Sequence, residues 1–157
     1  MSGPEVVLMC GPAGSGKSTV ARRLEDDGYA RVSFDEHAWD LGFTSHPLAP
    51  EQSARVDSDV RAAVVRLVRE GRDVVVDSSF WSRASRDAYR ALLAPEGVVP
   101  VTLYVRTALE VLLDRVAARG NTGPHDVALT PEVVEGFVAG FQPPTPDEGP
   151  LRVVSGG

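Results

Sequence analysis

With 157 residues, 43% of them apolar and 24% charged, the chain has the size and make-up of one globular domain large enough to bury a real core. A net charge of −6 and a sequence pI near 5.0 argue against broad electrostatic attraction to nucleic acid or to an anionic membrane, while leaving room for a small basic site. A single cysteine, Cys10, excludes an internal disulfide and fits a reducing, cytoplasmic setting. No apolar run approaches about 18 residues, and Met1 to Glu5 lacks the basic and apolar regions of a secretion signal, so neither a leader nor a membrane span is expected.

In chain order, Val6 to Cys10 is β-branched and apolar and predicts a buried strand, with Cys10 as a small hydrophobe inside it. Gly11-Pro-Ala-Gly-Ser-Gly-Lys-Ser18 then fits the phosphate-binding pattern G-x-x-x-x-G-K-[ST] at every fixed position. A helix from about Gly16 to Glu25 follows, so the pattern has the strand–loop–helix setting its chemistry needs. Glycines let the backbone wrap a phosphate with N–H groups pointing inward, and the helix N-terminus adds its positive end. Gly11, Pro12, Ala13, Gly14, Ser15, Gly16, Lys17, Ser18 and Thr19 are therefore the expected nucleotide cradle. Lys17 reaches the β- and γ-phosphates of ATP, and the Ser18 hydroxyl ligates Mg²⁺.

Tyr29 to Phe34 reads as a second strand ending at Asp35. Glu36 to Pro50 has no clear period and reads as a long loop, of the kind that usually serves a function. Glu51 to Glu70 is strongly amphipathic, with Val56, Val60, Val64, Leu67 and Val68 on one stripe. Arg72 to Asp77 predicts a third strand with a carboxylate at its exit, and Arg83 to Leu93 a helix closed by Pro95 and Gly97. Val98 to Val105 is a near-continuous apolar strand of the kind covered on both faces. Helices are expected over Ala108 to Arg119 and from Thr130-Pro131 onward. Phe141 to Asp147 is too proline-rich for a regular element, and Leu151 to Val154 ends the chain as a strand. Alternating β and α elements with short buried strands imply an α/β domain with a parallel sheet covered on both faces, its ligands at the carboxyl ends of the strands.

Those ends gather the candidate chemistry. Asp35 is placed to take a proton from an acceptor hydroxyl, or else to serve as a turn or helix cap. Asp77 can hold Mg²⁺, directly or through water, or cap a turn. Arg115 and Arg119, four apart on one helix, can clamp triphosphate charge or simply favour a helix C-terminus. Arg83 and Arg86 open a helix, where a cation opposes the macrodipole and hints at an anion nearby; the anion is an acceptor or phosphate, unless these are solvated side chains. His37, two residues from Asp35, can touch the acceptor or stand as an exposed histidine.

The chain resembles the small P-loop kinases of the AAA_33/zeta-toxin group, which includes phage-type polynucleotide 5′-kinase domains and chloramphenicol phosphotransferase. The likeness rests on Gly11–Ser18, Ser33-Phe34-Asp35, Val74-Val75-Val76-Asp77-Ser78-Ser79, Leu103-Tyr104-Val105, the segment Leu112 to Arg119, and Phe141-Gln142-Pro143-Pro144. It implies a three-layer P-loop NTPase fold with a five-stranded parallel sheet in the order 2-3-1-4-5. The whole chain would be one kinase domain with a lid over roughly 107–130. The resemblance further implies that Asp35 activates the acceptor, that Arg115 is a lid arginine and that Phe141 to Pro144 lies near the adenine. Two departures weaken a polynucleotide acceptor: Asp35-Glu36-His37-Ala38 carries no basic residue directly after the aspartate, and Ser78-Ser79 stands where asparagine is frequent. The expectation is an ATP- and Mg²⁺-dependent kinase for a small hydroxyl-bearing acceptor, monomeric or a small homo-oligomer. A 5′-hydroxyl polynucleotide or nucleoside kinase and a nucleotide-binding regulatory module are the alternatives.

Overall fold

The computed structural model describes residues 3–11, 16–43, 48–78, 80, 82–106 and 141–155. Five strands form one all-parallel sheet: β1 (Val6–Cys10), β2 (Ala30–Ser33), β3 (Val74–Asp77), β4 (Val101–Arg106) and β5 (Leu151–Ser155), in the order β2-β3-β1-β4-β5. This is the topology the resemblance implied. The helices are α1 (Lys17–Asp26), α2 (Phe34–Asp40), α3 (Pro50–Arg69) and α4 (Arg83–Leu93), with single 3₁₀ turns at Ala94–Glu96 and Pro146–Glu148.

The side-chain alternation of a strand divides the core between two faces. Val6, Leu8 and Cys10 of β1, with Val74 and Val76 of β3, face the valine stripe of α3 and Tyr89 and Leu93 of α4. Val7, Met9 and Val75 point the other way, against Ala21 of α1 and Leu103 and Val105 of β4. Every residue of β1 and β3 is buried, which is why both read as unbroken apolar runs up to Asp77. The result is three layers, helix–sheet–helix.

Several boundaries differ from the sequence expectation. The second strand stops at Ser33, so Phe34 is not its last residue, and Phe34–Asp40 is a helix that takes in the first part of the loop expected from Glu36. The cause is local: the Ser33 Oγ accepts the Glu36 N–H at 3.2 Å, Asp35 and Glu36 put negative charge in the first turn, and Ala38 packs into the core. Arg72 and Asp73 precede β3, and β4 begins at Val101, after Pro100. The proline-rich tail holds one 3₁₀ turn, where Thr145 and Glu148 cap each other. The helices expected after residue 106 lie outside the described residues. Among the described residues, no helix is long and apolar enough to cross a membrane.

Candidate functional site

The register of the sheet sets the site. Ser33 of β2 pairs with Asp77 of β3, so both stand at the carboxyl rim. Gly16 caps α1 with a positive φ of 94°, a conformation that favours glycine, and α1 opens with Lys17, Ser18 and Thr19. The turn brings Ser18 Oγ to 3.5 Å from Asp77 Oδ1. Asp77 is buried, yet its carboxylate is not left without charge compensation. Its Oδ2 accepts from both Nε and Nη2 of Arg31, at 3.2 and 2.9 Å, and Arg31 Nη2 also pairs with Glu36 at the start of α2. Burial disfavours the Arg31 charge, but the hydrogen bonds and charges of Glu36 and Asp77 outweigh it and hold its pKa above the ordinary value.

The donor set suits a hard, oxygen-preferring cation: a serine hydroxyl and one carboxylate oxygen, face to face at the start of α1. Among the described residues, no group of three or more His, Cys, Asp or Glu side chains forms a cage. Mg²⁺ fits that sparseness, because it keeps several waters and takes its other ligands from phosphates. Pro12, Ala13, Gly14 and Ser15 lie outside the described residues, as do Arg115 and Arg119 of the expected lid.

Asp35 is the second residue of α2 and is exposed, not the last residue of a strand. His37 follows it by two positions, about 200° around a helix axis, so the two side chains leave opposite sides of α2. They do not converge on one acceptor. His37 Nε2 instead lies 2.9 Å from Asp59 Oδ2 on α3, where Arg55 Nε also donates at 3.0 Å. His37, Arg55 and their hydrogen bonds hold the Asp59 carboxyl below its usual range. Trp39, four residues from Asp35, shares its side of the helix and is exposed.

The two arginines of α4 part company. Arg83 is half exposed, beside Asp87 at 3.6 Å and Asp147 at 3.5 Å, and so remains accessible. Arg86 does not: it is fully buried, donating from Nε to Glu148 Oε1 at 2.7 Å, from Nη2 to Glu148 Oε2 at 3.3 Å and from Nη1 to the Phe80 carbonyl at 2.8 Å. The expectation that Arg86 contacts an acceptor is corrected. The anion that its place at a helix start hinted at belongs to the chain itself. Arg90 adds a second cation, with Nη2 3.0 Å from Glu148 Oε1. Burial pushes the Glu148 carboxyl up, but the hydrogen bonds from Arg86 and Arg90 outweigh it, and its pKa lies below the ordinary value.

This cluster shapes the rim. Phe80, just past β3, has a positive φ of 45°, rare for a bulky residue, and its carbonyl is held by Arg86 and by the Cys10 Sγ at 3.4 Å. Cys10 is buried as expected, and burial, partly offset by Arg86, pushes its thiol up to about 11. The tail is tied to the same helix: Gln142 Oε1 accepts the Arg83 N–H at 2.9 Å, and the Phe141 ring lies 5.6 Å from that of Tyr104. Arg31, Glu36 and Glu148 escaped the sequence reading. For Arg31 the available signal was a cation inside a strand of the sheet, where it needs a partner; Glu36 and Glu148 carried no such signal.

Comparison with known proteins follows the same outline. The AAA_33 family model, an AAA domain, matches residues 6–144. A cytidylate kinase of Haloarcula marismortui is 31% identical over 134 residues, 80% of this chain and 63% of that protein. The chain thus spans somewhat under two thirds of the length of that curated relative. The crystal structure of a protein from Chloroflexus aurantiacus aligns with a TM-score of 0.77 at 20% identity, over 98% of this chain and 89% of the other. A gluconokinase from Sinorhizobium meliloti aligns with a TM-score of 0.69 at 22% identity, over 99% and 84%. Both structural likenesses speak for the fold.

Proposed function

Because the chain belongs to the AAA_33 family of AAA domains, we propose that it is an ATP-dependent phosphotransferase that moves the γ-phosphoryl group to the hydroxyl of a small molecule. The observation that carries the reading is the approach of Ser18 Oγ to Asp77 Oδ1, 3.5 Å apart, at the carboxyl rim beside a complete phosphate-binding motif. In this reading the amides from Gly11 to Thr19 cradle the phosphates and Lys17 neutralises charge on the β- and γ-groups. Ser18 and Asp77 would hold Mg²⁺, which would supply positive charge against the negative charge that develops during transfer. Asp35, on the open side of α2, accepts the proton of the acceptor hydroxyl. Arg115, with Arg119, neutralises the migrating phosphoryl group. Arg83 is the accessible α4 cation for an anionic acceptor, and His37 serves α2–α3 packing through Asp59.

A second reading draws on the likeness to cytidylate kinase: a nucleoside monophosphate as acceptor, attacked through a phosphate oxygen. The two readings differ in their need for a base. A hydroxyl must lose its proton during attack, whereas a phosphate monoester is already largely ionised at pH 7, its second pKa being about 6. Asp35→Asn is therefore decisive. For a hydroxyl acceptor it lowers kcat about 10²- to 10⁴-fold while ATP affinity holds. A kcat that is unchanged with a nucleoside monophosphate, and no transfer to any hydroxyl compound, would replace the first reading by the second.

A further inference from the structure

Asp77 has two oxygens with different surroundings. Oδ1 faces Ser18, while Oδ2 takes a two-pronged grip from the Nε and Nη2 of one guanidinium. Arg31 reaches across from β2, two residues before Ser33, and its side chain is 10% exposed against 4% for Asp77. Its Nη2, the atom that also meets Asp77, pairs as well with Glu36 in the first turn of α2. A guanidinium whose Nη2 is shared by two carboxylates has few ways to turn, and a carboxylate whose Oδ2 takes two N–H groups cannot rotate about its Cβ–Cγ bond without losing both.

We infer that Arg31 is a positioning residue for the metal site: by holding Asp77 through Oδ2 it aims Oδ1 at the position Ser18 shares. The inference rests on the proposed role of Ser18 and Asp77. The chemistry calls for such a partner, because a buried ligating carboxylate with a free rotor would present its oxygens in several orientations. It would also carry uncompensated charge whenever the cation is absent. The choice of arginine follows too. Lysine offers a point charge without the planar fork that fixes orientation. Glu36 keeps the fork from following the carboxylate when it is pulled toward a cation.

The test is metal affinity, not turnover. Mn²⁺ is titrated into the full chain saturated with a non-hydrolysable ATP analogue, and free Mn²⁺ is read by electron paramagnetic resonance. Arg31→Gln is expected to weaken Mn²⁺ binding about 10- to 100-fold, the usual loss for an outer partner of a metal ligand, and Arg31→Lys to fall at the lower end. Analogue affinity in EDTA stays at the wild-type value for both. Should Arg31→Gln not fold, Arg31→Lys carries the test. If the melting temperature falls but Mn²⁺ affinity of the folded variant matches wild type, Arg31 is merely structural and the inference is overturned. Asp77→Asn separates the levels: unchanged Mn²⁺ affinity there removes the metal role itself, whereas a loss there with none in the Arg31 variants removes only the positioning role.

Discussion

Arg86 and Glu148 offer a sharp stability test. Their side chains are 1% and 2% exposed, they share two hydrogen bonds at 2.7 and 3.3 Å, and they join α4 to the turn before β5. Removing one partner of a buried ion pair typically costs about 3–5 kcal/mol, because the other charge stays buried. In Arg86→Met, Glu148 keeps Arg90 at 3.0 Å, which argues for the low end, about 3 kcal/mol. That loss also frees the Phe80 carbonyl from its 2.8 Å bond. For a domain of this length, 3 kcal/mol lowers Tm by about 6–12 °C. With a urea slope of about 2 kcal/mol/M, it moves the denaturation midpoint by about 1.5 M at constant slope. Glu148→Gln should cost slightly less. The double variant Arg86→Met/Glu148→Gln should fall short of the sum by about 1 kcal/mol or more, since the two losses share one interaction. Single losses under about 1 kcal/mol, or strict additivity, would refute the assignment of this pair as a buried clasp.

Acid should strike at the same place. The Glu148 pKa is depressed below 4.5 in the folded state, so its contribution is fully present above that value and is lost as pH falls through the lower folded value. Melting curves between pH 6 and about 3 should show a steeper loss for wild type than for Glu148→Gln, and parallel curves would contradict it. Cys10, with its thiol raised to about 11 by burial, should react with a disulfide reagent at pH 8 only as fast as the chain opens. Modification at the rate of a free thiol would place Cys10 outside the core.

The sheet was legible because its two central strands are buried on both faces: β1 and β3 are unbroken apolar runs, and α3 writes its valine stripe at helical spacing. The donor end was legible for another reason, since a phosphate cradle demands glycines, a lysine and a hydroxyl at fixed spacing. α2 was missed because its seven residues are too few to display a helical period; its capping serine, not its hydrophobicity, starts it. Arg31 and Arg86 were obscure for a deeper reason. An arginine in sequence reads as surface, and only the partner decides otherwise: Asp77 lies 46 residues from Arg31, and Glu148 lies 62 from Arg86. Those distances are closed by strand order and by the return of the chain to β5, which local patterns do not encode. The macrodipole argument did sense an anion near Arg86, but could not tell a ligand from the chain's own glutamate.

The most direct test of the kinase reading follows the label of γ-phosphate-labelled ATP. The full chain is incubated with Mg²⁺ and, in turn, nucleosides, nucleoside monophosphates, sugars, antibiotics and 5′-hydroxyl oligonucleotides, with Lys17→Ala as control. Label is expected to move to a hydroxyl of one small-molecule class, and Lys17→Ala to abolish the transfer. Label appearing only as inorganic phosphate with every acceptor, or transfer that survives Lys17→Ala, would contradict the kinase reading.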